Sequence, residues 1–489
     1  YQDIPFIRVR LRLMNQGTYG FGASRLQHGP YAQHVMISKL SVSVPGAVPG
    51  SGSDSVMDRA TAYSRVAAGQ KTGRISAGKL ELGVPEFAET YPKGLNGDAQ
   101  GLHFDVFPMT GAVYQFDGAR ARTTDFYLGT GTSAALGMTS ILGAAIDPAY
   151  VARTGAVRPL FVEKRDWSKQ FPNDPELAEA ATRAERQFAV SYAVEASDAT
   201  SRVPAQSIFE YRLVDDEGNN LGWRNFGDLT WADGYANVHY DLPFILLREF
   251  LRTGDQRAFQ AGSEMARYRA DWGHYHGDDY WDSEGAYNMR GVAFYEKADH
   301  GSDYLPVLTH NWIEGMWLQW ALTGDESVHE SAVEASQALE RFMRYDFTIA
   351  NAVQWNESRW LGWPALGLVA AYRYSGDDRY LDASRKAVYG LMNAEVTAGK
   401  KGWFIPATSG IGQITQPFMW AGYSQLGIIE YWRETNDQNV AAFIVRVADW
   451  LMGNTGSQAV LRGGKALSDG GYQPIGASLN WAPDMSLDA

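Results

Sequence analysis

The chain reads as a multidomain β + α protein, an N-terminal antiparallel β-sandwich followed by an (α/α) toroid of helical hairpins. Three observations predict this: an alternating period up to about Ser133, a helical period after it, and a short polar turn that recurs between apolar segments. The expected boundaries are 1–133 for the sandwich, 134–452 for the toroid and 453–489 for a C-terminal extension, either β or irregular.

In the first part, "FIRVRLRLMNQG" sets Ile7, Val9, Leu11 and Leu13 on one side and Arg8, Arg10 and Arg12 on the other, the pattern of a half-buried strand. "VMISKLSVSVPG", "GLHFDVFP" and "AVYQFDGARARTTDFYLGTG" continue in that style. "PGAVPGSGSDS" is a loop by composition.

In the second part, four segments share one plan. "LLREFLRTGDQRAFQAGSEMARYR", "MWLQWALTGDESVHESAVEASQALERF", "LVAAYRYSGDDRYLDASRKAVYGLM" and "IIEYWRETNDQNVAAFIVRVADWL" each end an apolar helix at Gly254, Gly324, Gly376 or Asn436 and begin another. Gly or Asn takes the left-handed C-terminal position, and the Asp that follows caps the next helix. The turns are unevenly spaced, which suits hairpins with long, variable connections rather than identical solenoid repeats. The first helix of each pair is the more apolar, as an inner toroid helix would be.

Composition narrows the partners. A net charge of -13 argues against nucleic acid, whose phosphates need a basic surface. The absence of Cys excludes disulfides, thiolate metal sites and a Cys nucleophile. No stretch approaches the roughly eighteen apolar residues of a membrane span. The first residues, "YQDIPFIRVRLRL", carry neither an initiator Met nor a signal peptide, so a processed or truncated start is expected, with an extracellular or periplasmic protein. Aromatic residues make up 13%, and flat rings suit the apolar faces of sugars.

The inner helices of a toroid run parallel, so the long connections all emerge at their N-terminal rim, where loops on a rigid scaffold usually carry function. Five of the nine His (His239, His274, His276, His300 and His310) fall in or beside two of these connections. In "THNWIEG", helical spacing puts His310 and Glu314 on one face, with Trp312 and Met316 on a neighbouring core face. "NVHYD" begins the first inner helix in the same way.

Two chemistries compete for these residues. Elimination at a uronic acid needs a cation for the sugar carboxylate, a base of near-neutral pKa and an acid for the leaving oxygen. Arg290, Lys297 and Arg359 are the candidate cations, His239 or His310 the base and Tyr240 the proton donor. Hydrolysis would instead use two carboxylates, from Asp228, Asp233, Asp241 and Glu314. Asn237 and Asp241 complete the polar set, with Trp231, Trp355, Trp363 and Trp420 as sugar platforms.

Each feature also has a structural reading. A rim His is as often a hydrogen-bonded brace as a catalyst. Asp255, Asp325 and Asp377 read as helix caps, and Arg290 and Lys297 as partners for Asp282, Glu284 or Glu296. "HYHGDD" has the look of a metal cluster but lacks a third defined ligand, so a loop hydrogen-bond network is favoured, and no metal or other cofactor is expected. Trp317 and Trp320 read as core.

The order of "PFIRVRLRL", "GLHFDVFP", "GARARTTDFYLGTG", "GWRNFGDLTWADGYANVHYD", "RTGDQRAF", "HNWIEGMWLQWALTGD" and "GWPALGLVAAYRYSGDDRYLDAS" resembles the exo-acting rhamnogalacturonan lyases and their bacterial relatives. The resemblance spans about Pro5 to Trp450 and implies β-sandwich domains with an (α/α) toroid, and β-elimination at a galacturonate linked to rhamnose. It implies site roles for Asn237, His239, Tyr240, His310 and Glu314. The expected partner is therefore an acidic polysaccharide or oligosaccharide. The alternatives are a glycoside hydrolase on uronate oligosaccharides and a non-catalytic extracellular carbohydrate-binding or structural protein of the same fold.

Overall fold

A computed structural model describes residues 5–17, 33–45, 52–131, 133–134, 138, 146–157, 166–183, 221–228, 230–231, 234–235, 239–277, 288–293, 310–345, 359–398 and 425–452. The fold is mixed: antiparallel sheets in the N-terminal part, helices in the C-terminal part. Contacts divide the chain into two compact units. The first comprises Tyr1–Gly277, Glu296–Tyr304 and Leu318–Val328, and the second comprises Asp278–Tyr295, Leu305–Trp317 and His329–Ala489. The sheets, the first helical hairpin and the turn of the second hairpin thus belong to the first unit.

The strands of the N-terminal sheets are β1 (Phe6–Met14), β2 (Val35–Ile37), β3 (Leu40–Pro45), β4 (Gly52–Val56), β5 (Gly73–Ala77), β6 (Leu80–Val84), β7 (Lys93–Asp98), β8 (Gly101–Phe107), β9 (Tyr114–Phe116) and β10 (Ala121–Thr130). One four-stranded sheet has the order β1-β10-β6-β5 and another β3-β8-β7-β4, while β2 pairs with β9. The two larger sheets share one core. Ile75, Leu82, Val84 and Phe126 from the first meet Leu95, Leu102 and Phe104 from the second, and Phe104 lies 5.7 Å from Phe126 between ring centres.

β1 alternates as its sequence requires. Val9, Leu11 and Leu13 pack against that core, while Arg8, Arg10 and Arg12 occupy the opposite face. Ile7 departs from the pattern, 63% exposed near the strand end. The expected loop at "PGSGSDS" is corrected in part: Gly52–Val56 is a strand, because an edge position asks only one side of the backbone to pair, here with β7. A helix unforeseen in this half, α1 (Arg59–Ala67), starts where Asp58 accepts a hydrogen bond from the Thr61 amide at 2.9 Å.

The short helices α2 (Pro148–Thr154) and α3 (Trp167–Gln170) are among the described elements that precede the hairpins. The four hairpins are α4 (Leu242–Thr253) with α5 (Gln256–Asp271), α6 (Glu314–Thr323) with α7 (Glu326–Tyr345), α8 (Arg359–Ser375) with α9 (Asp378–Ala398), and α10 (Gln425–Thr435) with α11 (Gln438–Met452).

All four turns are wired alike, as the repeat predicts. Gly254, Gly324, Gly376 and Asn436 are left-handed, at φ 76°, 66°, 70° and 51°. Each amide donates to a carbonyl four residues back, at 2.7 Å in every case. The preceding Thr or Ser donates to the helix carbonyl four residues back and accepts from the following Asp amide. Asp255, Asp325, Asp377 and Asp437 then cap the next helix by accepting an amide two residues on.

The helices differ in burial. α8 is buried without a break from Leu361 to Ala371. α4 and α10 are less enclosed, leaving Ile245 and Leu426 exposed. No helix among the described residues is long and apolar enough to cross a membrane.

Candidate functional site

"NVHYD" ends in a 3-10 turn, His239–Asp241, that feeds directly into α4. Tyr240 and Asp241 both have left-handed backbones, at φ 57° and 53°. Neither is glycine, and such residues cost roughly 1–3 kcal/mol each unless their surroundings hold them there. Asp241 occupies the N-cap position of α4, yet its carboxylate makes no capping hydrogen bond. It is buried at 8% exposure, close enough to raise the charge stability of the guanidinium of Arg269.

Arg269 comes from α5 and is itself buried. Burial lowers its pKa to about 10, with Asp241 and then Asp228 opposing the fall. Asp228 is fully buried and accepts a hydrogen bond from the Tyr268 hydroxyl at 2.8 Å. Arg269 thus feels the charge of both Asp241 and Asp228, and Asp241 belongs to the strained turn that carries the half-buried Tyr240. Arg269 and Tyr268 were not singled out from sequence. Their signal was present in "ARYRADWGH", where Arg269 falls on the buried side of an amphipathic helix, a position that demands a partner.

In the second unit, "THNWIEG" differs from its expected geometry. α6 begins at Glu314, so His310 and Glu314 are not one helical turn apart. The reason lies in Asn311, which is fully buried and spends its side chain on backbone: its amide donates to the Gly291 carbonyl at 2.9 Å and its oxygen accepts from the Ala293 amide at 2.5 Å. The Trp312 amide turns back to the His310 carbonyl at 2.9 Å, holding these residues out of the helix. His310 and Glu314 are both buried, and the His310 ring stands edge-on to Trp312 at 4.9 Å.

Arg290 is half-buried and ion-paired with Glu334 at 3.2 Å; the other expected partners, Asp282, Glu284 and Glu296, lie outside the described residues. Its carbonyl accepts from Arg341 at 2.6 Å. Trp363, expected to offer a face to a sugar, is only 5% exposed and packs edge-on against Trp312 at 5.7 Å; in α8 it is core. Trp317 is core as expected, stacked on Tyr374 at 5.8 Å and donating to Ser336 at 3.1 Å. Trp320 is half-buried.

His274 and His276 of "HYHGDD" are fully buried and bond the carbonyls of Arg269 and Ala270 at 2.9 and 2.8 Å. They tie the loop to the end of α5, and burial keeps His274 well below the ordinary imidazole pKa. Among the described residues no group of three metal-binding side chains converges.

His239 and Trp231 are described in backbone alone, Trp231 in a two-residue strand paired with Gly234, and Arg359 opens α8. Asn237, Asp233, Lys297, Trp355 and Trp420 lie outside the described residues. No family model matches the chain, and no curated protein matches it.

Proposed function

We propose that the protein is a polysaccharide lyase that cleaves a uronate-containing, rhamnogalacturonan-like glycan by β-elimination, in an extracellular or periplasmic setting. The reading combines the sequence resemblance with one observation: two consecutive left-handed residues, Tyr240 and Asp241, held at the start of α4 beside buried Arg269. Strain of this kind survives where a side chain must be aimed, and it falls inside the motif that the resemblance marks. Closure of the hairpins into an (α/α) toroid belongs to the same proposal.

In the reaction a base removes the proton at C5 of the uronate, the C4–C5 double bond forms, the C4–O bond breaks and the departing oxygen takes a proton. Tyr240 is the proposed proton donor, with its hydroxyl aimed by the turn, and His239 the proposed base. His310 and Glu314 enter as separate candidates, each open to its own substitution.

Incubating the full chain with rhamnogalacturonan and other uronate polymers, while following the ultraviolet absorbance of an unsaturated uronate, tests this. The expected result is absorbance growth that falls by roughly 10²–10⁴-fold in Tyr240→Phe, the usual weight of one proton-transfer group. New reducing ends without that absorbance would move the assignment to hydrolysis, and binding without any product to a non-catalytic protein. Asp228 is a poor hydrolytic catalyst on geometric grounds, being fully buried and bonded to Tyr268.

A further inference from the structure

Two buried cations of the first unit, Lys93 and Arg122, feel nearby carboxylates only at a distance. Strand β10 places Arg122 on a buried face, and Lys93 opens β7; they are 5% and 2% exposed. Arg122 donates through Nη2 to the Thr90 carbonyl at 3.2 Å, and its guanidinium lies 5.2 Å from the centre of the Trp223 ring. Its Nε is enclosed and has no hydrogen-bond partner. Lys93 Nζ lies 5.7 Å from the centre of the Phe104 ring. Among the described residues no carboxylate forms an ion pair with either.

Both residues line one partly enclosed cavity of about 40 Å³ between β7, β10 and α5. Each carboxylate of that lining has a partner, although Glu264 uses only Oε1 for its bond and its Oε2 is enclosed without one. Glu86 is paired with Arg267 at 3.5 Å, Asp271 accepts from the Thr123 amide and hydroxyl at 2.6 and 2.9 Å, and Glu264 accepts from Gln260 at 2.9 Å. Buried like charges with unfilled hydrogen-bonding capacity cost several kcal/mol unless something compensates them. Burial, and next the charge of Arg122, brings Lys93 down to about 7.

We propose that this cavity binds a small oxyanion, a carboxylate or a tetrahedral group such as sulfate or phosphate, received between Lys93 and Arg122. An anion there answers both cations at once, as charge-assisted hydrogen bonds to a planar guanidinium and an ammonium. The volume has room for a few waters, hence for an anionic head group and not for a sugar ring. The site is independent of the lyase reading, and its test does not use turnover.

Calorimetric titration of the full chain with sulfate and with acetate provides the test, since both keep their charge from about pH 6 to about pH 9. Saturable binding at one site, weakened at least about tenfold in Lys93→Met and in Arg122→Gln, is expected. Sulfate alone, acetate alone or both would name the natural class. Absence of saturable binding by the wild type, or unchanged affinity in variants that still melt cooperatively, would overturn the proposal.

If the variants do not fold, the wild type decides. Its affinity should fall about tenfold between those pH limits as Lys93 loses its proton. The groups facing Lys93 are Arg122 and Asp125 of β10, Glu86 and Glu89 of the preceding segment, and Glu264, Arg267 and Asp271 of α5. A flat pH profile would reject the role of Lys93.

Discussion

Arg267 of α5 reaches Asp125 of β10 at 3.1 Å, and through this contact a helix of the first hairpin is charge-locked to the outward face of a sheet. Asp125, 4% exposed, also receives Arg8 at 2.6 Å and Arg10 at 2.8 Å. Arg10 and Arg267 both extend to Asp325, the cap of α7 in the second hairpin's turn. Three arginines and two carboxylates from four places in the chain thus form one network. Burial by itself would raise the Asp125 pKa, but Arg267, followed by Arg10 and Arg8, holds it far below the usual carboxylate range.

Asp125→Asn is expected to cost roughly 3–5 kcal/mol, because it removes the buried carboxylate that three guanidinium groups share and leaves Arg10 and Arg267 to crowd around Asp325. The sign with pH follows from the depressed folded value: Asp125 stabilises fully above its unfolded pKa of about 4, and that contribution is lost as pH falls through the folded value. Urea unfolding at neutral pH and near pH 3 checks both. The wild type should lose more stability on acidification than the variant does.

Lys93→Met is expected to stabilise the protein in anion-free buffer. The folded protein gives up the Lys93 proton at about 7 while the unfolded chain keeps it to about 10.5, so the penalty of the buried charge is complete below pH 7 and eases as pH rises. The gain should be roughly 1–4 kcal/mol near pH 6 and shrink toward pH 9. Unfolding midpoints of both proteins across that range would read it, and a gain that grew with pH would contradict the assignment.

Asn311→Ala is expected to destabilise the second unit by roughly 2–5 kcal/mol, since it leaves the Ala293 amide and the Gly291 carbonyl buried without their partner. Hydrogen exchange at Ala293, measured by NMR, should quicken before global unfolding does. Protection equal to wild type would show that the segment is held by something else.

The hairpin turns allow a clean measurement of backbone strain. At Gly254, Gly324 and Gly376 an added Cβ would meet nothing within 4 Å, so Gly→Ala carries only the left-handed penalty, roughly 1–2 kcal/mol each. Asn436→Gly should be near neutral or mildly stabilising for the same reason. Thermal melts of the four single variants would show whether the turns are energetically equivalent.

Where sequence and structure agree, the physics is local. The alternation of "FIRVRLRL" becomes one face on the sandwich core and one face of arginines, and the "TGD", "SGD" and "TND" turns each fold with the same left-handed residue and the same cap. These outcomes need only side-chain period, backbone sterics and a hydroxyl or carboxylate two residues away. For the same reason His310 and Glu314 were misplaced: the helix start there is decided by a bond from Asn311 to a segment about twenty residues upstream.

By itself, then, the sequence determined several of the strands, the four hairpins, their caps and the acidic, cysteine-free composition. Only the tertiary structure decided which charges meet. That Arg10 and Arg267 share Asp125 and Asp325, that Trp363 is enclosed, and that Lys93 and Arg122 face one cavity unpaired depend on contacts between elements far apart in the chain. A charge on a strand or helix face declares that it needs water or a partner. Which of the two it receives depends on what packs against that face, and no local pattern carries that information.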